Sequence, residues 1–419
     1  MTLLGRNDVQ AEVNERLRQH RESCNDEACN YLEDIKDETR YSILSHRWSD
    51  HEVVFQHIQT PPEKLAKGWG LLSADAKLAG LREHLPSEMG PSLDKFARFL
   101  DVSKDKGCSY AWADTICINK ESSAELDESI RSMFAWYRDS HICIVYLSET
   151  SFQSYLGSDP WFRRGWTLQE LLAPRRLAFY AKNWKQLTRY DCMKRSSERA
   201  GQGEESSEGR LWSSVANITG IQVEDLHNFK PGLYDIRKRL SWASNRKTTR
   251  IEDMAYSLIG IFDVNLPIAY GEKERAFYRL QVEILQNSDD MSLFDWQGEA
   301  SMYSSMLALS PACFSASIGL RTEDSLRAPD DSICTQTSIG IRMPPPVYHL
   351  DRQGAQRSWK LPDGAIAFSI LGASSKPSHH VILLLGAGSR RGQYKRLALI
   401  EMQVGRDPSK QVSDAVFVK

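Results

Sequence analysis

Neither sign of charge dominates this chain of 419 residues: 53 lysines and arginines stand against 55 aspartates and glutamates, a net charge of −2. That balance lacks the basic footprint of a general nucleic-acid binder, so no nucleic-acid partner is expected. Long apolar runs are missing too. The longest, 365–373 and 381–388, fall well short of the roughly 20 residues that a helix needs to cross a bilayer, so no membrane span is expected. Residues 1–10 are polar and carry no apolar stretch of the kind found in a secretory leader. The 8 cysteines include no CxxC pair and no histidine spacing suited to zinc. Reduced thiols, a cytoplasmic location and no bound metal are the expectations. What is present is ordinary for a folded protein, with 41% hydrophobic and 26% charged residues, which argues against disorder or a disulfide miniprotein. The length suits two or three domains. The 11 tryptophans, several of them beside charged residues, are either core or the mark of a site.

Periodicity divides the chain. Residues 1–40 are highly charged, with Val13 and Leu17 on one side of a helix predicted over 9–31, an N-terminal helical extension. From Tyr41 the pattern alternates. YSILS at 41–45 reads as an apolar strand running into the polar turn HRWSD. Leu93, Phe96, Ala97 and Leu100 have helical spacing, and YAWADTICI at 110–118 then reads as a buried strand that carries Asp114. Ile130, Met133, Phe134 and Tyr137 mark a further helix, followed by the strand ICIVYL at 142–147. Asp159 and Pro160 are a good N-cap and first-turn pair for a helix over 161–172, and RLAFY at 176–180 is another strand. Strands alternating with helices predict βαβ units, hence an α/β domain over 41–185 whose mainly parallel sheet is covered on both faces. The Gly/Ser/Glu-rich part of 186–210 is expected to be a mobile loop. Stripes over 251–261, behind a Thr-Thr N-cap, and over 275–285 make 211–296 a helical subdomain. Residues 297–419 break into short apolar stretches between Pro/Gly turns, which predicts a β-rich C-terminal domain.

Four phrases go beyond secondary structure: YSILSHRWSDHEVVFQ from Tyr41, YAWADTICINK from Tyr110, MFAWYRDSHICIVYLSE from Met133 and WFRRGWTLQELLAP from Trp161. In this order they resemble the fungal heterokaryon incompatibility (HET) domain, with its hallmarks LS-x-x-W, W-x-D-x-[IL]-C-I-N and R-x-W-T-L-Q-E. RLSWASNRKTTRIEDMAYSLIGIFDVNLPIAYGEKERAFYRLQVEI from Arg239 resembles the helical segment that usually follows that domain. The resemblance covers 41–296 of this sequence. It implies a flavodoxin-like, TIR-related α/β fold and a role in cell death triggered by non-self recognition between fungal individuals. The implied partners are other incompatibility proteins or further copies of the chain itself. Many TIR domains cleave NAD at the nicotinamide glycosidic bond with a glutamate on a helix. Glu170 is the matching position, which makes NAD a candidate substrate and calls for no separate cofactor.

On one continuous helix Arg163, Trp166, Thr167 and Glu170 share a face by their i, i+3, i+4, i+7 spacing, so a cation, an aromatic plate and a carboxylate lie on one strip. Cleaving an N-glycosidic bond builds oxocarbenium character that a buried carboxylate can stabilise or orient. Trp166 or Trp48 could stack on nicotinamide or adenine, and Arg47, Arg163 or Arg164 could pair with the pyrophosphate. The structural alternative puts Glu170 in an ion pair with a neighbouring arginine and Trp166 in the core. Ser45, His46, Arg47 and Trp48 follow the first strand, where open α/β sheets bind ligands, although Trp48 could instead pack over the sheet edge. Asp114 either faces the same cleft or holds the following loop through backbone N–H groups. Cys117 with His46 or His141 as base would make a cysteine hydrolase, set against a thiol buried inert in its strand. With no strong nucleophile and base motif, a non-enzymatic, self-associating scaffold also stands.

Overall fold

A run that is apolar at nearly every position makes a strand buried on both faces, as the centre of a parallel sheet requires. In this computed structural model that strand is β1 (Tyr41–His46). It pairs in parallel with β2 (Tyr110–Trp112) on one side and β3 (Ile142–Tyr146) on the other, and β3 pairs in parallel with β4 (Arg176–Tyr180). The short β5 (Cys192–Met193) closes the edge antiparallel to β4, giving a five-stranded, mostly parallel sheet of order β2-β1-β3-β4-β5. With its helices it is the α/β arrangement that the alternation predicts. The structure describes residues 39–59, 74–194, 206–288, 290–316 and strands at 320–325, 335–337, 340–343, 347–349, 365–374, 379–387, 393–403 and 416–418. The helix expected over 9–31 and the central part, 195–205, of the expected loop lie outside these residues. The chain divides into two units, Met1–Phe229 and Lys230–Lys419.

Parallel neighbours need crossovers, and the helices supply them. Between β1 and β2 come α1 (Phe55–Gln59), α2 (Ala74–His84) and α3 (Gly90–Asp105); between β2 and β3 come α4 (Asp114–Cys117) and α5 (Ser123–Asp139); α6 (Thr167–Leu172) precedes β4; α7 (Ser207–Thr219) and α8 (Val223–Asn228) follow β5. The period of two along β1 sends Leu44 to one face and Ser45 to the other. Leu44, Ile142 and Ile144 cluster with Leu93, Phe96, Phe99 and Leu100 of α3. On the Ser45 face, Phe179 meets Trp161 and Trp212 edge to face at 6.2 and 6.3 Å. The start of α5 is set by Ser122, whose hydroxyl accepts the Glu125 N–H at 3.3 Å while the Glu125 carboxylate accepts the Asn119 N–H at 2.9 Å.

Several expected elements are shorter than their apolar runs. The strand expected over 110–118 ends at Trp112, because the chain turns after Ala113 and the Cys117 N–H donates back to the Ala113 carbonyl at 2.9 Å. Asp114 and Cys117 therefore lie on one helical turn, not on a strand; burial alone does not distinguish the two. The helix expected over 161–172 is broken. Asp159 does accept the Trp161 N–H at 3.0 Å, but it starts a 3₁₀ turn, Pro160–Arg163, and Arg164 is extended at φ −76 and ψ 141 before α6 begins. The Thr167 hydroxyl donates to the Trp161 carbonyl at 2.6 Å and ties the two pieces together. Residues 207–210 of the expected loop are the first turn of α7, capped by the Ser206 hydroxyl, which accepts the Gly209 N–H at 3.0 Å.

In the second unit the helices are α9 (Ile236–Ala243), α10 (Asp253–Tyr256), α11 (Ile259–Phe262) and α12 (Arg275–Asn287). The stripe read over 251–261 is thus two short helices. The Thr248 hydroxyl donates to the Arg250 carbonyl at 2.6 Å in the preceding turn and does not cap a helix. The strands from Leu320–Ser325 to Val416–Val418 pair into an eight-stranded sheet. Arg396 clasps the stretch before them, its guanidinium 3.6 Å over the Trp296 ring and donating to the Phe294 carbonyl at 2.8 Å. Among the described residues no helix is long and apolar enough to cross a membrane.

One buried ion pair anchors α3 to the chain leaving β1. The Lys95 ammonium lies 2.6 Å from one Glu52 carboxylate oxygen and 2.7 Å from the other, and Ser92 of the same helix adds a hydroxyl at 3.0 Å. Lys95→Met leaves Glu52 buried without its cation, and the expected loss in urea unfolding is about 3–5 kcal/mol. The double variant Glu52→Gln, Lys95→Met should recover much of that loss; a double as unstable as the single would contradict this account.

Candidate functional site

The sheet order reverses direction beside β1, which has β2 on one side and β3 on the other. Open α/β sheets bind ligands outside the carboxyl ends of the strands at such a point, because the crossovers depart to opposite faces and leave a crevice. Here those ends carry Ser45, His46 and Tyr146, with Asp114 two residues past β2.

Glu170 of α6 lies buried against the carboxyl end of β1. Its carboxylate accepts the Ser45 hydroxyl proton at 2.5 Å, and the Ser45 oxygen in turn accepts the Trp161 indole N–H at 2.7 Å. The indole thus fixes which way the hydroxyl points. Burial pushes the Glu170 carboxyl up to about 7, against the pull of the Ser45 hydrogen bond and the Arg164 charge. The other groups facing it are Asp114, which raises it further, Tyr137 of α5, and Cys143 of β3, whose thiol donates to the Glu170 carbonyl at 3.9 Å. The C-terminal carbonyls of α6 are also held: the buried Lys194 ammonium donates to Leu171 at 2.7 Å and Leu172 at 2.5 Å.

A second carboxylate organises the mouth. One oxygen of Asp114 lies 3.3 Å from His46 Nε2 and accepts the Trp48 indole N–H at 3.3 Å, while the other is 3.6 Å from the Lys120 ammonium. Burial by itself would raise Asp114, but Lys120, the His46 hydrogen bond and Arg164 outweigh it and hold the carboxyl well below the usual range. Burial and the Lys95 charge hold His46 down, so the imidazole is neutral and donates its Nε2 proton to the ionised Asp114. Lys120 lies 3.3 Å and Arg164 5.5 Å from the Trp48 ring.

Residues 41–156, which build β1 to β3 and most of this mouth, match the family model described as heterokaryon incompatibility protein (HET). The chain carries a HET domain. Over 269 residues it is 35% identical to vegetative incompatibility protein HET-E-1 of Podospora anserina, an alignment that takes in 61% of this chain but spans only 17% of that relative. No solved structure matches the chain. Trp161 and Glu170, which pack against Ser45, lie beyond the stretch that the family model covers.

The fold brings the expected residues together in two groups. Ser45 and Glu170 form the buried group; its hydroxyl hydrogen is committed to Glu170, so Ser45 acts through the carboxylate. Trp48 and Asp114 form the mouth, and Asp114 pairs with side chains. The Arg163, Trp166, Glu170 strip does not form, because the helix break leaves Arg163 exposed on the 3₁₀ turn and Trp166 half-buried at the cap of α6. Arg47 is exposed and pairs with Glu149 at 3.0 Å. Glu170 has Ser45, not an arginine, as its hydrogen-bond partner. No cysteine and histidine dyad forms, since His46 faces Asp114, His141 faces Arg176 at 2.9 Å, and burial pushes the Cys117 thiol up to about 12. Sequence reasoning missed Trp161, Tyr137 and Lys120. All three stand inside the quoted phrases, but only folding puts the Trp161 indole on Ser45, 116 residues earlier.

Because the folded Glu170 carboxyl sits above its ordinary value of 4.5, the folded chain holds this proton more tightly than the unfolded one, and stability falls as pH rises from about 4.5 to about 7. Glu170→Gln removes that loss. Above pH 7 the variant should be more stable than wild type by up to about 3 kcal/mol, and the difference should vanish below about pH 4.5. Urea unfolding across that range checks it; a variant less stable at pH 8 would contradict the burial argument.

Proposed function

We propose that this HET domain hydrolyses NAD at the nicotinamide–ribose bond, and that the chain acts in this way as a cytoplasmic cell-death effector in fungal non-self recognition. The proposed partners are other incompatibility proteins or further copies of the chain. The relative's printed name, a vegetative incompatibility protein, supports the cell-death role. The fold reading is flavodoxin-like and TIR-related. Its support is the strand order β2-β1-β3-β4-β5, which is that of flavodoxin-like sheets, with the antiparallel β5 as a departure.

The observation that carries the chemistry is the buried Glu170 carboxyl, poised at about 7 against the carboxyl end of β1. In the reaction the C1′–N bond breaks and its electron pair goes to the nicotinamide ring nitrogen, which leaves neutral. Positive charge appears on the ribose, water adds at C1′, and that water gives up one proton. An ionised carboxylate in a low-dielectric site offsets the developing charge, and one that titrates near neutral pH can take the proton. Trp48 and Trp166 are the proposed stacking surfaces, with Arg164 near the phosphates and Arg47 and Arg163 at the rim.

Purified wild-type protein should release one nicotinamide per NAD consumed, read by chromatography. The rate should rise with pH through about 7, since the protonated acid is the inactive form. Glu170→Gln should slow release by about a hundredfold or more while remaining folded. If cells expressing the wild type die with NAD unchanged, and Glu170→Gln kills as well, the domain is a self-associating scaffold instead.

A further inference from the structure

Lys120 balances the Asp114 charge at the mouth, yet its ammonium is otherwise poorly provided with acceptors. Its ammonium has no accessible surface and no hydrogen-bond acceptor among the described residues. Asp114 at 3.6 Å is an ion-pair partner beyond hydrogen-bonding length, and it already serves His46 and Trp48. What covers the ammonium is the Trp48 ring at 3.3 Å. An ammonium has three N–H donors, and an aromatic face returns less to them than charge-assisted hydrogen bonds to anionic oxygens do. Trp48, by contrast, is easily moved. It is 39% exposed, it belongs to the exposed stretch 47–50, and its one hydrogen bond is 3.3 Å long.

We propose that Lys120 is a phosphate-binding residue, and that the space Trp48 occupies over it is a subsite for the diphosphate of a dinucleotide, opened when the indole swings aside. Arg164 lies 5.5 Å from the same ring, so two cations border the position. Diphosphate oxygens supply the acceptors that the ammonium lacks, and the displaced indole remains beside the ligand to stack on a base. The subsite also suits the position of Glu170. Arg164 acts on both Asp114 and Glu170, so the mouth and the buried carboxylate are neighbours. In NAD the nicotinamide-bearing carbon and the nearest phosphate belong to one ribose. The identity of the ligand as a dinucleotide rests on the NAD reading; anion binding at Lys120 does not.

Calorimetric titration of the full chain with pyrophosphate and ADP-ribose, with sulfate as control, tests this. Wild type should bind both diphosphates saturably and sulfate more weakly, with a fluorescence change that is absent in Trp48→Phe. Lys120→Met should lose affinity by about tenfold or more, and Lys120→Arg should recover part of it. Wild type that binds neither diphosphate, or binds sulfate equally well, overturns the subsite. So does a folded Lys120→Met with unchanged affinity, since Lys120 then only neutralises Asp114. If Lys120→Met does not fold, Lys120→Arg and the wild-type titrations still decide. Hydrolysis of NAD with an unchanged KM in Lys120→Met sinks the subsite and leaves the NAD reading intact. Lys120-dependent binding of ADP-ribose without hydrolysis does the reverse.

Discussion

A carboxyl group shut away from water must either keep its proton or be held by donors, and Glu170 sits at the balance of the two. The Ser45 hydroxyl that donates to it is itself oriented by the Trp161 indole. These contacts require three separate arrangements: a buried serine at the end of β1, a 3₁₀ turn that brings Trp161 to it, and a break that restarts the chain as α6. Lys194 closes the other end of α6. The Ser45 bonds to Glu170 and Trp161 span 125 and 116 residues, so the carboxylate's ionisation depends on how β1 packs against α6 and the 3₁₀ turn.

The charges around it are layered. On the α3 side is the buried Glu52 and Lys95 pair; beside it is neutral His46; then comes Asp114, shared between His46, Trp48 and Lys120. Lys95 and burial keep His46 from taking a proton, which leaves Asp114 to be balanced from the mouth by Lys120 and Arg164. The exposed pair of Arg47 and Glu149 lies outside this order and contributes little, as surface ion pairs do. The polarity of the mouth is thus set by buried groups, and the exposed Trp48 ring lies over the Lys120 ammonium.

Much of this was legible in the residues. The alternation from Tyr41 to Tyr180 predicted an α/β unit, and β1, β3 and β4 fall on the runs that predicted them. The stripes of α3 and α5 are likewise the buried sides of those helices. Where the reading failed, an apolar run was taken for a continuous element. Asp114 leaves the strand because the backbone turns after Ala113, and the 161–172 segment breaks at Arg164; neither event changes hydrophobic periodicity, so no pattern in the sequence marks it.

The sequence by itself determined the motifs, the parallel sheet and the choice of Ser45, Trp48 and Asp114 as residues to watch, because strand burial and loop position are local consequences of composition; Glu170 was singled out by the resemblance its motif carries. Tertiary structure decided what each of them does. It joined Ser45 to Glu170 and Trp48 to Asp114, left Arg163 exposed, and brought in Trp161, Tyr137 and Lys120. The reason is physical: whether a carboxylate is charged depends on desolvation and on the donors that reach it, and both are properties of packing between residues far apart in the chain.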